Sequence, residues 1–86
     1  MPEISRFLGI VIKMFFDDHA PPHFHAYYGS FEASFSIDSL SILKGELPPR
    51  IKGLVIEWAS SKQEPLLANW KSLRKDQSFK KIEPLV

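Results

Sequence analysis

All three histidines of this 86-residue chain fall within seven consecutive positions. They are His19, His23 and His25, and the carboxylates of Asp17 and Asp18 stand directly before them. Imidazole changes its charge near neutral pH and is the most frequent metal-binding side chain in proteins. A cluster of this composition therefore predicts either a metal site or a site of proton transfer.

A divalent metal such as zinc is the first chemistry that this stretch indicates. His23 and His25 are two residues apart, so on a strand both imidazoles point to the same face. His19, Asp17 or Asp18 in the preceding loop could complete the coordination shell. Histidines with a carboxylate suit zinc or another transition metal that keeps one open position. The competing interpretation is structural, with the histidines stacked on prolines and neighbouring strands and bonded to loop carbonyls.

Metal-free acid–base catalysis is the second chemistry. One neutral and one protonated imidazole, with His19, His23 and His25 as the candidates, could cleave an RNA phosphodiester presented to both. Clustered titratable groups on an open polar face are a recognised sign of a functional site. The phosphate could be positioned by Tyr27, Ser34 or Ser36.

A β-hairpin is expected to present these groups. Residues 23–28 and 31–37 have the composition of strands, and Gly29-Ser30 between them suits a two-residue turn. In that register Phe24 pairs with Phe35, which makes the apolar side of the hairpin the core side. Because side chains alternate along a strand, the other side must be polar. The polar face is predicted to hold His23, His25 and Tyr27 opposite Ser36, Ser34 and Glu32.

The remaining pattern predicts an α+β fold. Residues 4–44 are expected to form an antiparallel meander of three to four strands, with Gly9 at a bulge or turn. Two helices follow, at about 49–61 and 64–75, and both are expected to pack on the Phe24 side. That arrangement would leave the histidine face open to water or to a partner.

Two details concern the C-terminal half. Pro65 cannot continue a helix, because it lacks the N–H donor and clashes with the preceding turn, so the second helix should begin near Glu64. Residues 76–86 are expected to form a tail, with Phe79 and Ile82 as its anchors.

Between residues 71 and 81 the chain has five cations and one carboxylate. This charge could contact a nucleic acid backbone, but a helix end followed by a solvated tail is the favoured interpretation.

Composition excludes several classes of protein. An apolar share of 44% and a charged share of 24% are typical of one globular domain, here residues 1–86. The net charge of +1 gives no general attraction to nucleic acid or membranes. Without cysteine, disulfides and thiolate metal sites are excluded. No signal peptide or membrane-spanning run is visible, so a cytoplasmic location is expected.

The histidine segment reads His19-Ala20-Pro21-Pro22-His23-Phe24-His25-Ala26. It resembles the motif of a small bacterial family, domain of unknown function 4160 (DUF4160), and the similarity covers nearly the whole chain. Pro65 departs from the family's pattern, in which this region is a more continuous helix. The other matching stretches are Ile4-Ser5-Arg6-Phe7 with Gly9, Tyr28-Gly29, Gly45-x-Leu47-Pro48, Glu57-Trp58, Asn69-Trp70 and Lys81-Ile82-Glu83-Pro84.

The resemblance implies one half of a two-component module. Members of the family are often encoded beside a second small family, domain of unknown function 2442, in an arrangement that resembles a toxin–antitoxin pair. The resemblance does not say which half this chain is and names no catalytic residue. The histidine cluster is what suggests an RNA-cleaving toxin, acting either as a ribonuclease-like enzyme or as a metal-dependent hydrolase. The alternative is a non-enzymatic module whose open sheet face docks a partner protein and whose histidines are structural.

Overall fold

A five-stranded antiparallel sheet and two helices make up the fold of the computed structural model, which describes residues 2–86. The strands follow one another in sequence order as a meander, which confirms the expected α+β class. No helix within residues 2–86 is long and apolar enough to cross a membrane. The elements are β1 (Glu3–Phe7), β2 (Ile10–Lys13), β3 (His23–Tyr28), β4 (Phe31–Ser36), β5 (Ile42–Glu46), α1 (Pro49–Ser60) and α2 (Gln63–Asp76).

The sheet has five strands rather than the three to four that the sequence predicted, because the N-terminal apolar stretch forms two of them. A tight turn at Leu8-Gly9 separates β1 from β2, and both turn residues have positive φ, of 50° and 79°. Glycine adopts such a φ without a steric penalty. The chain then leaves the sheet after Lys13 and re-enters it at His23.

The central hairpin has the predicted register. Phe24 pairs with Phe35, and their rings stack with centroids 5.4 Å apart. Each histidine of β3 lies opposite a serine of β4, with His23 facing Ser36 and His25 facing Ser34. The alternation expected from the sequence therefore places both imidazoles on the face opposite Phe24.

The core lies between the Phe24 side of the sheet and the helices. Trp58 of α1 is fully buried and meets Phe24 edge-on, with centroids 5.9 Å apart. Burial of one such side chain stabilises the fold by about 2 kcal/mol. Phe31 lies on the same side of the hairpin as Phe24 but borders its turn and is 39% exposed.

The two helices begin and end within one residue of the predicted positions. Pro65 is the third residue of α2, within the first turn, where helical N–H groups lack partners in any case. The segment after α2 is held by Ile82, whose N–H donates to the carbonyl of Ile4, and by the Trp58 indole, which donates to the carbonyl of Glu83. Ile82 is buried, as expected, whereas Phe79 is exposed.

An irregular pairing joins β5 to β4. Phe35 pairs with Ile42, and a bulge then lets Ser34 face Lys44. Gly45 has φ +82°, and a Cβ at this position would lie 2.2 Å from the Glu32 carbonyl oxygen. Only glycine fits so close an approach of two strands. The bulge thereby brings Lys44 to the polar face that carries His25.

Candidate functional site

Three side chains converge at the start of β3. The Nε2 atoms of His25 and His23 lie 3.0 and 3.4 Å from the same carboxylate oxygen, Asp18 Oδ2. One candidate ligand atom from each of the three residues lies within 4.8 Å of the other two. The structure thus brings two of the three predicted histidines together with one of the two predicted aspartates.

The orientation of His23 is set by its own chain. Its Nδ1 donates to the carbonyl oxygen of Pro21 at 2.8 Å, since a carbonyl oxygen can only accept a proton. In the neutral ring, Nε2 is then unprotonated and directs a lone pair towards the Asp18 oxygen. Both atoms are potential metal ligands, and a metal ion could bridge them across the 3.4 Å that separates them.

His25 has acceptors on its other side as well. Its Nδ1 lies 3.3 Å from Ser34 Oγ and 3.9 Å from Glu32 Oε2. When Nδ1 carries the proton and donates it to Ser34 Oγ, Nε2 also presents a lone pair to Asp18. Histidines that bind metals typically donate their other N–H to a carbonyl, a carboxylate or a similar acceptor. Both rings of this cluster have such an acceptor in place.

The cluster is more enclosed than the sequence predicted. The side chains of His23 and His25 are only 13% and 14% exposed, so the expectation of an open histidine face is wrong at this end of the sheet. Trp70 of α2 packs against His23 with centroids 5.2 Å apart. Phe15, in the loop before Asp18, meets His25 edge-on at 4.9 Å. Aromatic side chains from two separate segments therefore shield the imidazoles from water.

The backbone at Asp18 is held in place by a residue of α2, near the other end of the chain. The Arg74 guanidinium donates to the backbone carbonyl of Asp18 and lies over the Trp70 ring, 5.1 Å from its centroid. The Asp18 N–H donates to the Phe15 carbonyl at 3.3 Å. These contacts fix the loop at the residue whose carboxylate faces both histidines.

The other predicted site residues have separate positions. Asp17 and His19 are exposed, and neither belongs to the converging group. Ser36 is buried, and its hydroxyl accepts from the N–H of Ser39 instead of facing the cluster. Tyr27 lies next to His25 along the same face, with ring centroids 6.4 Å apart.

The polar face continues from His25 towards Tyr27. Burial raises the pKa of Tyr27, and the negative charge of Glu32 raises it further, so the phenol stays protonated at neutral pH. The Lys13 ammonium lies over the Tyr27 ring, 5.1 Å from its centroid. On the same side, a cleft of about 300 Å³ is lined by His25, Glu32, Ser34, Lys44 and Gly45.

Comparison with known protein families shows which family this chain belongs to. The model of domain of unknown function DUF4160 matches residues 9–71, which include Asp18, both clustered histidines and Trp70. The chain belongs to the DUF4160 family. No curated protein and no solved structure matches it. For this DUF4160 protein, the arrangement of the site is therefore the main guide to chemistry.

The spacing of the three donors fits a transition metal. In a tetrahedral zinc site with bonds of 2.0–2.1 Å, neighbouring ligand atoms are about 3.3 Å apart. The two contacts to Asp18 Oδ2, at 3.0 and 3.4 Å, bracket that separation. Two histidines and one carboxylate are also the donor set of zinc sites that keep a fourth position for water or substrate. The donor types and these two distances are compatible with such an ion.

Three contributors to the site were not assigned to it from the sequence. Trp70 lies on the apolar stripe of the second helix, and Arg74 belongs to the charged run between residues 71 and 81. No local pattern indicates that Trp70 reaches His23 or that Arg74 reaches Asp18, because both contacts join distant parts of the chain, 56 residues apart for Arg74 and Asp18. The Pro21 carbonyl could have been found, since it lies only two residues before His23 on the approach to the strand.

Proposed function

We propose that this protein is a metal-dependent, RNA-cleaving component of a toxin–antitoxin-like module, with its chemistry at Asp18, His23 and His25. A divalent ion such as zinc is the proposed cofactor. The observation that carries the proposal is the convergence of two Nε2 atoms on one carboxylate oxygen, at 3.0 and 3.4 Å. The Nδ1 of His23 donates to the Pro21 carbonyl, and the Nδ1 of His25 lies within hydrogen-bond distance of the Ser34 hydroxyl. That arrangement supports metal ligation better than two imidazoles acting as acid and base, because neither Nε2 is directed away from Asp18.

The proposed reaction is transesterification of RNA. The 2′-oxygen bonds to the adjacent phosphorus, and the bond from phosphorus to the 5′-oxygen breaks, which leaves a 2′,3′-cyclic phosphate and a 5′-hydroxyl. One proton leaves the 2′-hydroxyl and one is gained by the 5′-oxygen, so no further reactant is needed. The ion would supply Lewis acidity towards the phosphate and an acidified water. RNA suits a single ion because the substrate carries its own nucleophile.

The two-component part of the proposal has a separate basis. It is supported by the resemblance to proteins encoded beside domain of unknown function 2442, and it makes a small protein of that kind the expected partner. A cytoplasmic location is part of the same proposal. An RNA-cleaving component would need such a partner to restrain it during growth.

The first test measures metal binding. Protein without a histidine tag is loaded with zinc, dialysed and analysed for metal content, and we expect one zinc per chain. His23→Ala and His25→Ala should each lose it, because each removes one of three donors. His19→Ala is the matched control and should retain the full content, since His19 is exposed and outside the cluster. Less than one zinc per chain in the unchanged protein would refute the metal site.

The second test measures cleavage and growth arrest. The unchanged protein, expressed alone, should arrest growth and should cut labelled RNA to products with a 2′,3′-cyclic phosphate. His23→Ala and His25→Ala should be harmless while keeping the circular dichroism spectrum of the fold. A harmless unchanged protein, or toxic histidine variants, would exclude the toxin proposal even if zinc is bound.

A non-enzymatic, partner-binding role is the second candidate. Its support is the outer part of the polar face, where Lys44 is exposed and the Glu32 side chain is 56% exposed. A partner protein docked there would bind equally well after His19→Ala, His23→Ala or His25→Ala, provided that the fold is kept. Under the enzymatic proposal, by contrast, His19→Ala should still cleave RNA, whereas His23→Ala and His25→Ala should not.

A further inference from the structure

A cationic groove lies directly beside the proposed metal centre. It has a volume of about 430 Å³. Trp70, in its wall, also contacts His23, and Arg74 also binds the Asp18 carbonyl, so the groove adjoins the three clustered donors. The residues that line it are Pro22, Leu67, Trp70, Lys71, Arg74 and Lys75.

The cations of this groove share one face of α2. Lys71, Arg74 and Lys75 are three and four residues apart, the spacing of neighbours on a helix surface. All three are exposed, and within residues 2–86 no carboxylate forms an ion pair with any of them. Three positive charges without a paired carboxylate would therefore attract an anionic ligand to this wall.

A helix end that merely favours cations does not account for this arrangement. The helix dipole acts within the last turn, which contains Arg74 and Lys75 but not Lys71. Arg74 also turns its guanidinium away from the end of its own helix, towards Trp70 and the Asp18 carbonyl. The cations instead follow the groove and end at the candidate centre.

We infer that this groove binds the sugar–phosphate backbone of single-stranded RNA and guides it to the Asp18, His23 and His25 centre. The inference rests on the proposed function, which supplies the choice of RNA. Lys71 and Lys75 are free to contact successive phosphates, while Arg74 forms the end of the groove nearest the ion. A single strand is proposed because its flexible backbone can follow a groove about 430 Å³ in volume. Contacts of this kind are electrostatic and independent of base sequence.

The test measures binding of a labelled 12-nucleotide oligouridine to the zinc-loaded full chain. Lys71→Gln with Lys75→Gln should weaken binding about tenfold at moderate salt. It should also reduce the slope of log K against log salt by about 1.4, because each phosphate contact to a single strand contributes about 0.7. The matched control, Arg50→Gln with Lys52→Gln, removes two exposed charges from α1 and should change affinity less than about twofold.

Two results would overturn the groove. They are absence of binding by the unchanged protein and equal losses of affinity in the two double variants. Failure of the groove is distinguishable from failure of the proposed function. If the protein holds zinc and cuts RNA but its RNA affinity is unaffected by the lysine changes, the proposed groove is refuted and the proposed function is not. If it binds RNA through Lys71 and Lys75 but holds no zinc, the metal-dependent function is refuted and the groove is not.

Discussion

Two groups of chemically identical side chains lie within nine residues of each other and have different surroundings. Asp17 and His19 are exposed in the loop, whereas Asp18, His23 and His25 converge. Residue type and proximity in sequence are the same for both groups. The difference shows that convergence of side chains depends on the contacts that fix each of them, and not on the number of histidines and carboxylates in a motif.

Each converging side chain is held by a contact from outside the cluster. A donor that is already oriented loses little conformational entropy when it binds an ion, whereas an exposed side chain loses more. The loop pair Asp17 and His19 therefore serves as an internal control for the cluster. The fixing contacts are Arg74 to the Asp18 carbonyl, the Pro21 carbonyl and Trp70 to His23, and Ser34 and Phe15 to His25.

The largest expected difference is between neighbouring aspartates. Asp18→Asn removes the charged oxygen that both Nε2 atoms face, and we expect zinc affinity to fall on the order of 100-fold or more. Asp17→Asn should change it less than about threefold, because this carboxylate is exposed and outside the group. Competition with a coloured chelator measures both constants. Similar losses in the two variants would mean that general negative charge, and not a fixed donor, attracts the ion.

A smaller effect is expected from the acceptors behind His25. Ser34→Ala removes the oxygen 3.3 Å from Nδ1 and should lower zinc affinity about tenfold, because the ring loses its orienting partner. Glu32 Oε2, at 3.9 Å, can partly replace the hydroxyl, so addition of Glu32→Gln should enlarge the loss. Ser36→Ala is the matched control on the same strand, since its hydroxyl accepts from Ser39 and not from a histidine. Unchanged affinity in the Ser34 and Glu32 double variant would exclude a role for these acceptors.

The smallest expected effect concerns the pKa of Tyr27, which lies next to His25 at the outer side of the cluster. Because burial and then the Glu32 charge raise the pKa of Tyr27, its phenol should ionise later than an ordinary tyrosine in an alkaline titration followed by absorbance. Glu32→Gln should lower that pKa, and Tyr27→Phe should remove the late transition. A raised pKa in the folded state means that the neutral phenol contributes stability below the unfolded pKa of about 10. That contribution should be lost as the pH rises through the folded pKa.

The hairpin was predictable because its signals are local and agree with one another. Gly29-Ser30 fixes the turn, and the turn fixes the register in which Phe24 meets Phe35. Strand alternation then determines the face of His23 and His25. Helix bounds were also predictable, since Pro49 and Pro65 both lie in first turns where proline is tolerated.

The composition of the cluster was not predictable to the same degree. Nothing in the sequence separates Asp17 from Asp18, because the loop conformation that selects one of them depends on contacts with Arg74 and Phe15. The enclosure of His23 was missed for a related reason. Trp70 is an apolar residue on a helix stripe, and only the docking of α2 against the start of β3 shows that it reaches an imidazole.

The contact between Arg74 and Asp18 also has a consequence for biosynthesis. A ribosome makes Asp18, His23 and His25 early, whereas Arg74 follows 56 residues after Asp18. The emerging chain therefore carries its donors well before the side chains that enclose and fix them. The cluster can be fully assembled only once translation has passed α2. If the proposed RNA cleavage is correct, a nascent polypeptide would therefore be inactive towards the messenger from which it is being read.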